Sequence, residues 1–566
     1  MLIQKIKKQL VLLSLLGLVL VAAFYLLLQS DTGAKLISGY LSNGDYSIKI
    51  GAVSHSLKTP TKITLNQVDI VQNKTGTALL QSENITFSFS FLRLWKTHSW
   101  DLIIIKNAQL SLDLTSKARP FVQSDRLQLQ NVALKLKNTY GDTIQAIDIN
   151  GGIAPWISSL SPDSNPVQFD LTAGQIISDG LTLERLAISG FEKGKVIYLT
   201  NFGGNIDKGF FIGQGGRLVN DDWQIDDLQI NHLTIENEIT FKRLLARHDT
   251  MPKIHIRTLN VVDSSVNFPR LKIEKANIEI KNLMYSNDWG NENTAVIFDA
   301  RSIRWHDELF VAPALKLVFF SDRMIIEHAT SKWHKGMISM EGRWQKGEWE
   351  LKKLVFTGIN LLLPDDWLSG FSHLTLPNYF SNLTIKTWKM KSSAIVSTNP
   401  TLAMQITGAE ATGNNIGLIR NKKIHFRPEN LHLRADNATL NGIFLRLPEL
   451  TAAPVKTYSN ELEYVTEQTT QFTFDALVSN GILEGTLVID FNRQQLTSMR
   501  LIGNSVNTAV LTAWHILSSP PEGNEFELSL FGIYNPKNFH GKMSIHNASL
   551  HKNYLIEENR ILTKPN

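Results

Sequence analysis

The chain has 566 residues, 57 Lys+Arg against 52 Asp+Glu for a formal net charge of +5, and is 43% hydrophobic and 19% charged. That thin, nearly balanced charge lacks the dense basic stripes of a nucleic-acid binder, so no nucleic acid is expected as a partner. The hydrophobic share excludes a disordered chain, the length allows two to four domains or one long repetitive body, and the absence of cysteine excludes disulfides, thiol nucleophiles and cysteine-ligated metals together.

The first element is apolar. From Leu10 to Leu28 the chain runs 19 residues without a charge, which as a helix measures roughly 28 Å, close to the hydrocarbon thickness of a bilayer. Lys5, Lys7 and Lys8 precede it and the first charges after it are Asp31 and Lys35. The positive-inside bias then predicts a cytoplasmic tail over 1–9, a membrane-spanning helix over 10–28 and an exported body over 29–566. A cleaved signal peptide is the competing reading, but Ala22 and Ala23 are followed by Phe24, Tyr25 and three leucines rather than by a small-residue cleavage site.

The body reads as strands. Ile85, Phe87, Phe89 and Phe91 alternate with Thr86, Ser88 and Ser90, a period of two that no amphipathic helix produces. The pattern returns at Leu110, Leu112 and Leu114, at Leu127 and Leu129, at Leu134 and Leu136, and at Phe472 and Phe474. Runs such as Asn73–Gly76, Gly190–Gly194, Asn201–Gly204 and Gly213–Gly216 read as turns, which predicts meanders of antiparallel strands. Four loosely similar phrases, beginning at Asp125, Asp226, Ile256 and Glu429, each carry a short apolar strand, a polar break and a second alternating strand. Helices are expected at Gly33–Leu41, Phe241–Arg247, Asp365–Phe371 and Ala509–Leu517, sub-boundaries near 162, 365 and 520, and a frayed tail over Asn553–Asn566.

Reactive chemistry is sparse. The zinc-protease, phosphate-loop and serine-hydrolase signatures are missing, and no close His-and-carboxylate set appears among the 15 histidines. No catalytic, metal-binding or cofactor-binding residue is therefore expected. His306 beside Asp307 is the nearest approach to a reactive pair, and neighbours along a strand diverge. The basic segment Arg420, Lys422, Lys423, His425 and Arg427 fits the wet face of a strand, with lipid headgroups as the sharper alternative. The Ile85–Phe91 stripe by itself fits either closed core or the lining of a groove.

The order of features from the apolar run through Asp113, with Thr32 and Gly33 opening a short helix and then YSIKIGAVSHSL, TPTKITLNQVDI, ENITFSFSFLRLW and IIIKNAQLSLD, resembles AsmA-like proteins of the AsmA/TamB/YhdP clan. NGGIAPW at Asn150–Trp156, LLPDDW at Leu362–Trp367 and GNSVNTAVLTAW at Gly503–Trp514 extend the resemblance over nearly the whole chain. It implies a non-enzymatic protein of the Gram-negative envelope, anchored in the inner membrane by one helix. Its periplasmic body is then an elongated, curled antiparallel β-sheet with an apolar trough and a few short helices. The implied function is phospholipid handling between inner and outer membranes, with Ile85, Phe87, Phe89, Phe91, Leu110, Leu112, Leu134 and Leu136 facing acyl chains. The alternative is a membrane-tethered structural or assembly factor that helps target proteins to the outer membrane, with an envelope or outer-membrane protein as partner. No cofactor is implied by either.

Overall fold

The computed structural model describes residues 19–562 apart from 20–22, 24, 28, 43–44, 57, 74–75, 91–98, 114–122, 138–142, 157–165, 179–180, 240–251, 287–292, 366–379, 456–468, 491–494, 532–539, 548–549 and 558–559. Among these the chain is mainly β, with 34 strands. Two compact units divide it, one of Met1–Phe268 with Asn277–Trp289 and one of Pro269–Ala276 with Gly290–Asn566.

The first unit opens with a helix, α1 (Asp31–Leu41). Ser30 caps it, its Oγ accepting from the Gly33 backbone N–H at 3.2 Å, and Asp31 places a carboxylate in the first turn, where the helix dipole favours one. Ala34, Ile37 and Leu41 pack onto Ile48, Ile50, Val53, Leu65, Ile85 and Ile103 of the strands that follow. The helix also closes a sheet edge. Strand Tyr46–Ser56 pairs with Thr59–Gln72, and its other side takes its bonds from the helical region. Ser42 Oγ accepts from Ile48 N–H at 2.9 Å, Ser38 Oγ accepts from Ile50 N–H at 3.0 Å, and Tyr25 and Gln29 both donate to the His55 carbonyl. An edge left open would be a template for another strand.

From there most strands pair antiparallel with the strand before them. The expected antiparallel meander is interrupted in this unit where Leu102–Asp113 runs parallel to Leu127–Lys137, and where Trp223–Asn231 and then Thr234–Ile235 run parallel to Ile254–Asn267. The same occurs in the second unit, where Glu348–Thr357 and then Asn360–Leu363 run parallel to Asn382–Ser397. A parallel neighbour needs a long crossover to bring the chain back, and the stretches 114–126, 236–253 and 364–381 supply it. The helices expected at Phe241–Arg247 and Asp365–Phe371 fall in these crossovers, outside the described residues apart from Asp365.

The second unit ends in a closed core. Leu483, Leu501, Phe526, Leu528, Met543 and Ile556 are buried together, and α2 (Ala509–Ala513) presses Val510 and Leu511 into them. The segment expected to fray instead forms strands Leu550–Glu557 and Arg560–Leu562, because Ile556 is buried in this core and Tyr554 and Ile561 pack against it. The proline pair Pro520–Pro521 lies inside the second unit, and Thr508 Oγ1 donates to the Pro521 carbonyl at 2.7 Å.

The N-terminal expectation requires correction. Among the described residues no helix is long and apolar enough to cross a membrane, which overturns the predicted single span over 10–28. The predicted topology, with Lys5, Lys7 and Lys8 in a cytoplasmic tail and a periplasmic body tethered to the inner membrane, falls with it. Most of the apolar run lies outside the described residues. Where it is described, Tyr25–Leu27 is helical, but Tyr25 is engaged by protein: its hydroxyl bonds the His55 carbonyl at 2.8 Å and its ring meets the His55 imidazole edge-on at 5.3 Å.

Candidate functional site

The feature that unifies the first unit is a row of apolar side chains carried from strand to strand by register. Val53 stands opposite Leu65, which opposes Ile85, then Ile105, Leu129, Gly151, Leu171, Ile188, Phe202, Gly213, Leu228 and Leu259. Because side chains alternate along a strand, one shared register puts every member on the same face. A second row runs parallel to it through Ile70, Leu80, Leu110, Leu134 and Ala146.

Strict alternation alone would not place both rows on one face, because Leu65 and Val68, or Leu129 and Val132, are an odd number of residues apart. The chain solves this with a crease. Gln67, Asn107, Asn131 and Asp148 each adopt a left-handed backbone with φ of 48–56° in mid-strand. One residue is thereby spent without turning the apolar set over, in the manner of a bulge. Asn and Asp tolerate that conformation better than other side-chain-bearing residues. Their side chains join the crease across strands: Asn107 donates to Glu83, Asn131 Nδ2 donates to Asn107 Oδ1 at 2.9 Å, and Asn150 Oδ1 accepts from the Asn131 backbone N–H at 2.9 Å. Buried Ser82 donates to the Lys106 and Asn84 carbonyls beside it.

The polar breaks in the repeated phrases are these creases. In the phrase from Asp125 the break holds Asn131, in that from Asp226 it holds His232, and in that from Ile256 it holds Asp263, all at positive φ. In the phrase from Glu429 it separates strands Asn430–Arg434 and Asn437–Leu440.

Burial changes along the row. Leu65 and Ile85 are 6% and 5% exposed beneath α1. From Ile105 to Leu259 the large members are only half-buried, although Gly213 is buried. Two glycines in this stretch leave room for an aromatic ring: a Cβ at Gly190 would meet Phe169 Cζ at 3.0 Å, besides the Tyr198 carbonyl, and one at Gly213 would meet Phe202 Cζ at 2.5 Å. This corrects the reading of Gly213–Gly216 and Asn201–Gly204 as turns, since both lie within strands, Gly209–Arg217 and Val196–Ile206.

The predicted lipid-facing residues fall on this face where they are described. Ile85 is buried, Phe87 packs beside it in the same cluster, and Phe89 at 9% exposure meets the Trp100 ring edge-on at 5.7 Å. Leu110, Leu134 and Leu136 are half-buried across the crease. Leu112 is placed in strand Leu102–Asp113, opposite Leu136, and its side chain lies outside the described residues, as does all of Phe91. Sequence reasoning missed Leu171, Ile188 and Phe202, whose phase is broken by Gly151, Gly190 and Gly213. The one usable signal was the recurrence of Asn or Asp at the slip in phase.

Ionisable groups are few on the apolar side. At its margin the register aligns Val167, Glu192, Ile197, Arg217 and Trp223. Burial pushes the Glu192 carboxyl above its ordinary value, and the Arg217 guanidinium pulls it back. The His306–Asp307 pair forms the two-residue turn between strands Ser302–Trp305 and Glu308–Phe319 rather than lying along a strand. Among the described residues no group of three or more His, Cys, Asp or Glu could hold a metal ion.

No family model matches the chain. It is similar to the AsmA family protein YicH of Escherichia coli (strain K12), 26% identical over 506 residues that cover 88% of this chain and 86% of that one. The similarity runs over nearly all of both sequences and supports a family-level assignment to the AsmA/TamB/YhdP clan, with the envelope context that goes with it and consistent with a scaffold or transport protein.

Proposed function

We propose that the apolar face of the first unit handles phospholipid acyl chains within the bacterial envelope. The observation that carries the reading is the apolar row aligned by register from Val53 to Leu259, interrupted at Gly151 and Gly213, sealed beneath α1 at its start and with its large members half-buried from Ile105 onward. An acyl chain gains about 0.8 kcal/mol for each methylene removed from water. A row that presents an apolar side chain at nearly every strand, about 4.8 Å apart, offers that gain at most steps, so a chain can shift along it with little net change.

The alternative, an assembly factor that receives outer-membrane proteins by strand addition, needs an open sheet edge. The edge of strand Tyr46–Ser56 is occupied by Ser38, Ser42, Tyr25 and Gln29, which disfavours that reading at this end. The deciding experiment places a photoreactive residue at Leu171 or Phe202, with controls at Thr172 and Asn201 on the opposite face, and analyses adducts formed in cells. Phospholipid adducts at the apolar positions alone are expected. Crosslinks only within the chain would make the row ordinary core and end the lipid reading.

A further inference from the structure

A second site lies in the other unit, on the polar side of its strands. Strand Leu271–Tyr285 begins opposite Ser302–Trp305, which pairs in turn with Glu308–Phe319. Register sets Lys272 against Arg304 and Arg304 against Leu309, with Glu274 against Ser302 and Ser302 against Val311 in the next row. Ile273, Ile303 and Phe310 alternate to the opposite face. These two rows and Arg301 line a cavity of about 230 Å³.

Its charges do not cancel. Three cations, Lys272, Arg301 and Arg304, line it together with one carboxylate, Glu274, which is already engaged. Lys272 Nζ stands 2.8 Å from Glu274 Oε1, and Ser302 donates to Glu274 Oε2 at 2.9 Å. Those bonds, with the charge of Lys272 and a smaller contribution from that of Arg301, hold the Glu274 carboxyl below its ordinary value, so it stays ionised and its oxygens are taken by Lys272 and Ser302. Neither guanidinium has an acidic partner within ion-pair distance among the described residues. Two positive charges are left uncompensated, and Lys272 and Arg304 oppose each other directly across the strand pair, an arrangement that destabilises a sheet unless something neutralises it. Leu309 and Val311, each 40% exposed, give the cavity an apolar wall.

We infer that this cavity binds a phosphate-bearing anion, with Arg301 and Arg304 as the recognising groups. Planar guanidiniums suit phosphate because each presents parallel N–H donors to paired oxygens. Two surplus positive charges match a phosphate monoester dianion. The volume admits a phosphate with a small organic substituent, and the apolar wall favours one that carries carbon. The source is either a soluble phosphate ester or the headgroup of an anionic lipid, and the two differ in whether a membrane surface must be present.

The test uses the full chain and two probes. Calorimetric titration with glycerol 3-phosphate reads the soluble arm. Co-sedimentation with phosphatidylcholine vesicles, with and without phosphatidic acid, reads the headgroup arm. Binding in either arm is expected to weaken about tenfold or more in Arg304→Gln and in Arg301→Gln, the loss of one charge-assisted contact, and to fall as salt is raised. Arg304→Lys keeps the charge and should restore part of the loss, which separates recognition from misfolding, and an unchanged melting temperature checks the fold. Phe202→Lys, on the apolar face of the other unit, should leave this binding intact, so failure of the lipid reading and failure of this one are distinguishable. No binding in either arm, or binding that survives in the Arg301→Gln/Arg304→Gln double variant, overturns the inference.

Discussion

Strands Val167–Ser178 to Trp223–Asn231 and strands Thr469–Val478 to Leu550–Glu557 are written in the same alternating code and end in opposite states of burial. In the second group a row through Phe474, Gly485, Leu501, Leu528, Met543 and Tyr554 is aligned by register just as in the first. Yet Leu528 and Met543 are fully buried, with Leu511 of α2 packed in the same core. In the first group Phe169, Leu171, Ile188 and Phe202 stay half-buried, and Val167 is the buried hydrophobic residue. Alternation therefore specifies which face is apolar and leaves open whether that face is covered. What decides is whether the sequence supplies a helix, such as α1 or α2, at the right place to cover it.

The largest expected difference between the two groups is thermodynamic. Leu528→Ala empties a fully packed site and should cost about 2–5 kcal/mol, whereas Leu171→Ala, already partly in water, should cost about 1 kcal/mol or less; urea midpoints measure both. Equal losses would mean that the first group is as closed as the second. Phe202→Lys sharpens the comparison functionally: adducts at Leu171 should disappear while the melting temperature stays near that of the parent chain, because the lysine can extend its amine to solvent. Asn131→Val forces a β-branched residue into the left-handed crease and should cost about 1–3 kcal/mol, more than Asn131→Gly, by chemical denaturation. Ser42→Ala removes the partner of the Ile48 N–H and should cost about 1 kcal/mol, with faster amide exchange at Ile48 as the local signature.

The smallest effect is electrostatic. Asp475 stands between Glu449 and Glu484 on adjacent strands. Burial first, and then those two carboxylates, raise its carboxyl above the ordinary aspartate value, with His432 opposing them. A carboxyl whose folded-state pKa is raised binds its proton more tightly in the native state. The ionised form therefore detracts from stability at neutral pH, and the penalty fades as pH falls through the raised value. Asp475→Asn should raise the melting temperature slightly at neutral pH and lose that advantage in acid. A gain that persists unchanged in acid would locate the effect elsewhere.

Much of this was legible in the sequence, and the remainder has specific physical causes. The Ile85 and Leu110 stripes were readable as strand faces because their period is two, and α1 was readable from its position after the apolar run. That the stripes share a face was not, because the crease at Asn107 changes phase and a left-handed residue leaves no mark in an alternation count. Gly213–Gly216 was misread because glycine signals a turn and equally signals a ring lying against a strand. The parallel pairs escaped notice because register across a long crossover depends on partners far away in the chain. The expected membrane span rested on apolar length, flanking lysines and the lack of a cleavage site, properties that say nothing of what Tyr25 and Gln29 bind.

The sealed edge at Tyr46–Ser56 bears on how the chain is made. Translation delivers α1 before the strand it covers, so the first edge has its cover ready at the moment it forms. Each antiparallel strand that follows meets a partner just completed, and the growing sheet exposes a single free margin, the one its own next segment will fill. Such an order keeps contacts local and denies neighbouring nascent copies a second margin to join. The oldest margin of the sheet is thus the covered one.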